Sequence, residues 1–202
     1  KADPKDARTQ YYLAEALSDL EQYPEADQLY RRLLEKTPDD LDILASFGLS
    51  QMGQRRFDEA GKTFRTLLAL PEVPDNVQVL ARTQLALIDL QKGNYSAAVE
   101  AARPILVFRD KLNAQAINIA LDALKKQNRF ADGVALLQPL TEKFASDPFV
   151  HARYIELPVR AGDKDRARIA AAPPSKFGVR TSLGPPDPPT TPGPHEPPPP
   201  AR

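Results

Sequence analysis

Cysteine is absent from this chain of 202 residues, so disulfides, thiolate metal sites and cysteine nucleophiles are excluded. The compartment stays open between cytosol and periplasm. Histidine is nearly absent: His151 and His195 are too few to build a metal cage or a histidine-based nucleophile system. Net charge is absent too. Lys and Arg total 27, Asp and Glu total 27, and the signs are interleaved rather than blocked, which removes the electrostatic footprint of a nucleic-acid or anionic-membrane binder. No apolar run approaches the roughly 20 residues that a spanning helix needs, so membrane insertion is not expected. No Gly-rich segment ends in Gly-Lys-Ser/Thr, and Gly93 in "KGNY" reads as an interhelix turn rather than a phosphate cradle. Carboxylates are plentiful, but Asp39, Asp40, Asp58 and Glu59 fall at helix starts and on solvent faces, where capping accounts for them. The "NYS" at Asn94 matches a glycosylation acceptor by three residues only. These absences predict no cofactor, no metal and no catalysis. Lys1 begins neither with an initiator methionine nor with a signal pattern, so any targeting segment is expected upstream.

Proline is present but displaced. Of 21 prolines, 12 fall in residues 171–202, which divides the chain into a body of globular composition and a tail predicted to be disordered. The tail's "GPPDPPTTPGPHEPPPP" (Gly184 to Pro200) contains several P-x-x-P matches and favours polyproline II, a form that aromatic-lined adaptor domains recognise. The same composition fits a spacer, and its Pro, Arg, Ala and Gly codons also fit a GC-rich gene read in a shifted frame. All three readings stand at this point.

Within the body, "QYPEADQLYRRLLEKTPDD" is echoed by "RRFDEAGKTFRTLLALPEVPDN". Tyr23, Phe57, Tyr95 and Phe130 are 34, 38 and 35 residues apart, and each is followed three positions later by Ala26, Ala60, Ala98 or Gly133. Four further on come Tyr30, Phe64, Ala102 and Leu137, then Leu33, Leu67, Ile105 and Leu140. That 3, 4, 3 rhythm places them on one buried helical face. Nine or ten residues upstream of each aromatic sits Ala14, Gly48, Ala86 or Ala120, preceded by Leu13, Phe47, Leu85 or Ile119. Each copy is thus two helices, A and B, with small residues at their crossing so that the backbones can approach to about 8–10 Å.

The pattern resembles the tetratricopeptide repeat family. It is carried by Leu13, Ala14, Tyr23, Ala26, Tyr30 and Pro38 in one copy and by Phe47, Gly48, Phe57, Ala60 and Phe64 in the next. The resemblance implies an all-α solenoid, a right-handed superhelix of four to five helix-turn-helix repeats. Their expected bounds are about 7–40, 41–75, 76–112 and 113–147, with a degenerate copy at 148–170. Residues 1–6 read as the end of a preceding repeat, because "KADP" stands to Ala7 as Pro38 does to Leu41, and residues 171–202 form the tail. "TPDD" (Thr37 to Asp40) and "SDP" (Ser146 to Pro148) supply helix caps. Departures are expected at "LPEVPDN" (Leu70 to Asn76), which lengthens a turn, at Pro104 and Pro139 inside two B helices, and at Pro158, which interrupts the fifth A helix.

In such an array the A helices line a concave groove, and their exposed face is the candidate binding surface. Counting along the copies, the groove residues are Tyr11, Tyr12 and Glu15, then Ser46, Leu49 and Met52, then Leu80, Gln84 and Leu87, and finally Asn118 and Leu121. Arg8, Asp19 and Lys125 extend this face toward its charged ends. An apolar centre of this kind suits the anchors of a peptide or an amphipathic helix; it also suits packing between adjacent A helices, and both readings stay open. Some family members clamp a terminal carboxylate with cations at set slots. Here those slots read Tyr11, Glu15, Ser46, Leu80 and Gln84, without a cation. The expected function is therefore a non-catalytic scaffold that binds a protein or peptide partner, or alternatively a regulatory or substrate-presenting segment of a larger enzyme or assembly; the oligomeric state is left open.

Overall fold

The computed structural model describes residues 4–160. The start of the expected repeat remnant, the second half of the fifth copy and the Pro-rich tail with His195 lie outside the described residues. Among the described residues nine α-helices follow one another: α1 Pro4–Asp19, α2 Tyr23–Lys36, α3 Leu41–Gly53, α4 Phe57–Ala69, α5 Asp75–Gln91, α6 Tyr95–Ala102, α7 Ala114–Lys126, α8 Phe130–Lys143 and α9 Pro148–Arg160. Each packs on the next, and the A helices also touch in the sequence α1 to α3, α3 to α5 and α5 to α7. The buried side chains fall into three successive clusters spanning α1–α3, α3–α5 and α5–α9. That is a row, an α-solenoid, and not a bundle around one centre.

The pattern that defined the copies is the core. All four small A-helix residues and all three B-helix positions of each copy are buried, from Ala14, Ala26, Tyr30 and Leu33 through Gly133, Leu137 and Leu140. The crossing geometry explains the small residues. A Cβ added at Gly48 would lie 2.7 Å from Cζ of Phe64, and one added at Gly133 would lie 3.0 Å from a methyl of Leu157. Both separations are well inside ordinary contact, so the backbone fills the space that a side chain would need. Helix starts follow the caps. Asp40 accepts from the N–H groups of Asp42 and Ile43, both at 3.1 Å, and Asp147 accepts from those of Phe149 and Val150.

The A-to-B turns share a device that the sequence pattern conceals. Glu21, Arg55, Gly93 and Asn128 all have left-handed φ, between 56° and 79°, and each precedes the B-helix aromatic by two residues. Around them run paired bonds, Gln22 N–H to Leu17 C=O at 2.8 Å and Glu21 N–H to Ser18 C=O at 3.0 Å in the first copy, with counterparts in the other three. This is the Schellman closure, yet only Gly93 and Asn128 are residue types suited to it. Glu21→Gly is expected to stabilise the protein by about 0.5–1 kcal/mol, and Gly93→Glu to destabilise it by a similar amount. Opposite shifts of the urea midpoint would check both, and a shift of the same sign in the two variants would contradict the assignment.

The third copy departs most. Its insertion lengthens a helix more than a turn: the α4–α5 link, residues 70–74, is one residue longer than the α2–α3 link, residues 37–40, whereas α5 reaches 17 residues. Its B helix does not run through Ile105 as expected. Pro104 lacks an N–H and crowds the carbonyl four residues back. α6 accordingly stops at Ala102 after 8 residues, and residues 103–105 tighten into a 3-10 turn that still buries Ile105. A two-stranded antiparallel hairpin follows, β1 Val107–Phe108 with β2 Lys111–Leu112. Arg109 and Asp110 at its tip both have positive φ, the geometry of a type I′ turn. Pro139, by contrast, sits inside α8 without breaking it, on a face where Pro139 and Ala135 are exposed. Pro158 does not interrupt α9, which runs on to Arg160. At the other end α1 takes in Pro4, Lys5 and Asp6.

Candidate functional site

Slots that are equivalent across the copies form columns over the A helices, and the structure joins some of the predicted groove residues directly. The Tyr11 hydroxyl donates to Oε1 of Glu15 at 2.7 Å and lies 3.0 Å from Oγ of Ser46, while Ser46 Oγ is 3.1 Å from the same carboxylate oxygen. Three candidates from α1 and α3 therefore share one hydrogen-bond cluster. Burial pushes the Tyr11 hydroxyl well above the ordinary phenol range; the Ser46 bond pulls the other way, and the Glu15 charge adds to the rise. Tyr11 is consequently a neutral donor at any physiological pH. Glu15, Asp19, Tyr30, Ser46 and Leu49 line a cavity of about 310 Å³ whose charged residues are both acidic. Arg8, Tyr11, Tyr12 and Asp42 line a neighbouring cavity of about 350 Å³, where the Arg8 guanidinium donates to the Tyr12 hydroxyl at 3.0 Å and 3.1 Å.

Leu80 and Gln84 belong to a third cavity, of about 600 Å³, between α5, the hairpin and the start of α7. Its other walls, Val79, Phe108, Lys111 and Leu112, were not among the predicted site residues. The only available signal was Pro104, which marks where helix geometry fails. Asp27 was missed as well: it is a 6 % exposed carboxylate on α2, held by Arg56, by Gln54 at 3.1 Å and by Ser50 at 3.4 Å.

The other candidates divide by exposure. Tyr12 and Leu49 are 51 % and 41 % exposed. Met52, Leu80 and Leu87 are half-buried and pack against the core clusters, and Asn118 is half-buried. Leu121 is corrected outright. It is 1 % exposed and packs beside Gly133 within the cluster that α9 completes through Val150 and Leu157; it is core, not groove wall. Lys125, at the far end of the face, pairs with Glu156 at 3.5 Å and Asp122 at 3.8 Å. Among the described residues no group of three His, Cys, Asp or Glu side chains is placed to hold a metal, and no helix is long and apolar enough to cross a membrane. His151 faces the Ala145 carbonyl at 2.9 Å.

Neither a protein-family profile nor a curated protein matches the chain. Solved structures do. MamA from Desulfovibrio magneticus RS-1 superposes with a TM-score of 0.62 at 15% identity, over 84% of this chain and 93% of that one. A tetratricopeptide repeat protein from Parabacteroides merdae superposes with a TM-score of 0.59 at 18% identity, over 84% of this chain and 64% of that one. MamA AMB-1 gives 0.59 at 16% identity, over 83% and 89%. At these identities the likeness is one of fold, and the fold is that of the tetratricopeptide repeat solenoid.

Proposed function

We propose that the chain is a non-catalytic scaffold that holds an extended peptide or helix of a partner protein against the A helices. The reading rests on one observation. In an array that buries the small A-helix residue and the three B-helix positions of every copy, Tyr12 and Leu49 remain large, apolar and exposed on the A-helix face, each lining a cavity. Such side chains are the anchors that peptide grooves use. The polar groups beside them, Tyr11, Glu15 and Ser46, are bonded to one another and present a fixed surface, so little ordering is needed on binding.

Leu49→Asp is expected to weaken partner capture at least tenfold with helical content unchanged, because Leu49 is exposed. Leu87→Asp is expected to lose stability instead, because Leu87 packs into the core. Binding measured with an affinity-captured partner, together with far-ultraviolet circular dichroism, separates the two. Undiminished capture by Leu49→Asp would remove this surface from the interaction.

A further inference from the structure

We propose that the cavity of the third copy takes an extended segment of a partner protein in which a large aliphatic or aromatic side chain neighbours an Asp or Glu. This rests on the scaffold reading and narrows it to one site and one ligand chemistry. The cavity measures about 600 Å³ and arises from the two peculiarities of this copy, the lengthened start of α5 and the hairpin that replaces the end of α6. In the other complete copies the B helix runs 13 or 14 residues before the next copy begins. Its apolar walls come from Val79 and Leu80 on one side and Phe108 and Leu112 on the other. Its charged residues are Arg109 and Lys111, with no carboxylate among the lining. Arg109 is drawn toward Asp75 at 3.4 Å. Lys111 is exposed and has no ion-pair partner among the described residues. An apolar group entering here therefore passes an unneutralised cation, and a carboxylate on the same ligand complements it.

The amides favour a peptide over a simple amphiphile. Asn76 and Gln84 on α5 and Gln115 on α7 line the cavity and make no side-chain hydrogen bond among the described residues. Each offers a donor and an acceptor, the pair that a peptide unit also presents. Asn76 and Gln84 are eight residues apart, a rise of about 12 Å along the helix, which matches about four residues of extended chain. Of the two cavities in the first and second copies, one carries the opposite sign, through Glu15 and Asp19, and the other balances Arg8 and Lys36 against Asp40 and Asp42, so an acidic segment is better complemented at the hairpin end than at either.

The test is selection of displayed random peptides on the full chain, followed by fluorescence anisotropy of the retained sequences as synthetic peptides. Expected are peptides with an apolar residue within two positions of Asp or Glu. Their binding should fall at least tenfold for Lys111→Glu, less for Lys111→Gln, and should be lost when the peptide's acidic residue is exchanged for Lys. Circular dichroism confirms that both variants stay folded. Retained peptides without acidic residues, or indifferent to Lys111→Glu, overturn the proposal; if those peptides depend on Leu49 instead, the scaffold reading survives alone. No retained peptide at all overturns both. Dodecanoate bound in a Lys111-dependent way, with no peptide retained, assigns the cavity to an amphiphile and overturns the peptide assignment.

Discussion

Phe64→Ala is expected to destabilise the protein by about 3–5 kcal/mol, the range for deleting a fully buried aromatic ring. Phe64 is 0 % exposed and stands in the cluster of Leu44, Ala60, Leu67, Val73, Ala81 and Ile88 that joins α3, α4 and α5. Collapse into the void is opposed on every side. The ring lies against the backbone of Gly48, 2.7 Å from where a Cβ would stand, and the two helices that would have to close in are each engaged with a further neighbour. Because an array is stabilised by nearest-neighbour interfaces, the loss should appear first in α3 to α5 as accelerated amide exchange, with α8 and α9 least affected. Gly48→Leu should be harmful alone, since overpacking costs about 1–3 kcal/mol, and should restore part of the loss in the Phe64→Ala background. A loss under about 1 kcal/mol in chemical denaturation, or no coupling between the two sites, would show that the ring does not fill the crossing.

That crossing was legible because it repeats. Wherever a side chain's burial is decided inside its own hairpin, as for Ala14, Gly48, Phe64 or Leu137, the periodic pattern alone located it. Burial decided by a neighbouring copy is another matter. Leu13 occupies the slot of Phe47 and Ile119, yet it is 50 % exposed while they are 7 % and 4 % exposed. Phe47 is covered by Tyr30 of the preceding copy, ring centroids 5.7 Å apart, and α1 has no earlier helix beside it among the described residues. Leu121 fails in the opposite sense. It shares a slot with Glu15, Leu49 and Leu87, and the cluster that includes Leu157 of α9 covers it. The candidate surface was therefore readable as a column of slots and not as a set of exposed residues.

The hairpin and the turn closures were hidden for different reasons. Pro104 announces the end of a helix but not what replaces it, and Arg109-Asp110 is not a dipeptide that advertises a type I′ turn. Glu21 and Arg55 take left-handed φ because the closure bonds on both sides require it, so their identities reveal nothing. The four B-helix aromatics fared better, since they mark the copies whatever the turn before them contains.

Asp27→Ala carries the second large effect, an expected loss of about 2–3 kcal/mol. Its slot holds Gly61, Val99 and Val134 in the other copies, so a buried carboxylate stands where the array otherwise needs nothing polar. It binds the Arg56 guanidinium and two further donors, Gln54 and Ser50, linking α2 of the first copy to the α3–α4 turn of the second. Arg56 in turn grips Glu59, and the Glu59 hydrogen bond, joined by that of Asp27, raises the already high guanidinium pKa. Breaking a fully buried pair costs about 3–5 kcal/mol. The expectation here is smaller because Arg56 is 30 % exposed and keeps Glu59, so water and one carboxylate remain to solvate it. What is lost is the set of partners for Ser50, which is 3 % exposed, and for the buried side of the guanidinium. Asp27→Val combined with Arg56→Leu should recover most of the stability, because replacing both partners leaves no orphaned charge. Urea denaturation of the two single variants and the double variant measures that coupling. Additive losses would mean that the carboxylate and the guanidinium stabilise the fold independently, and that the junction between the first two copies rests on its apolar contacts alone.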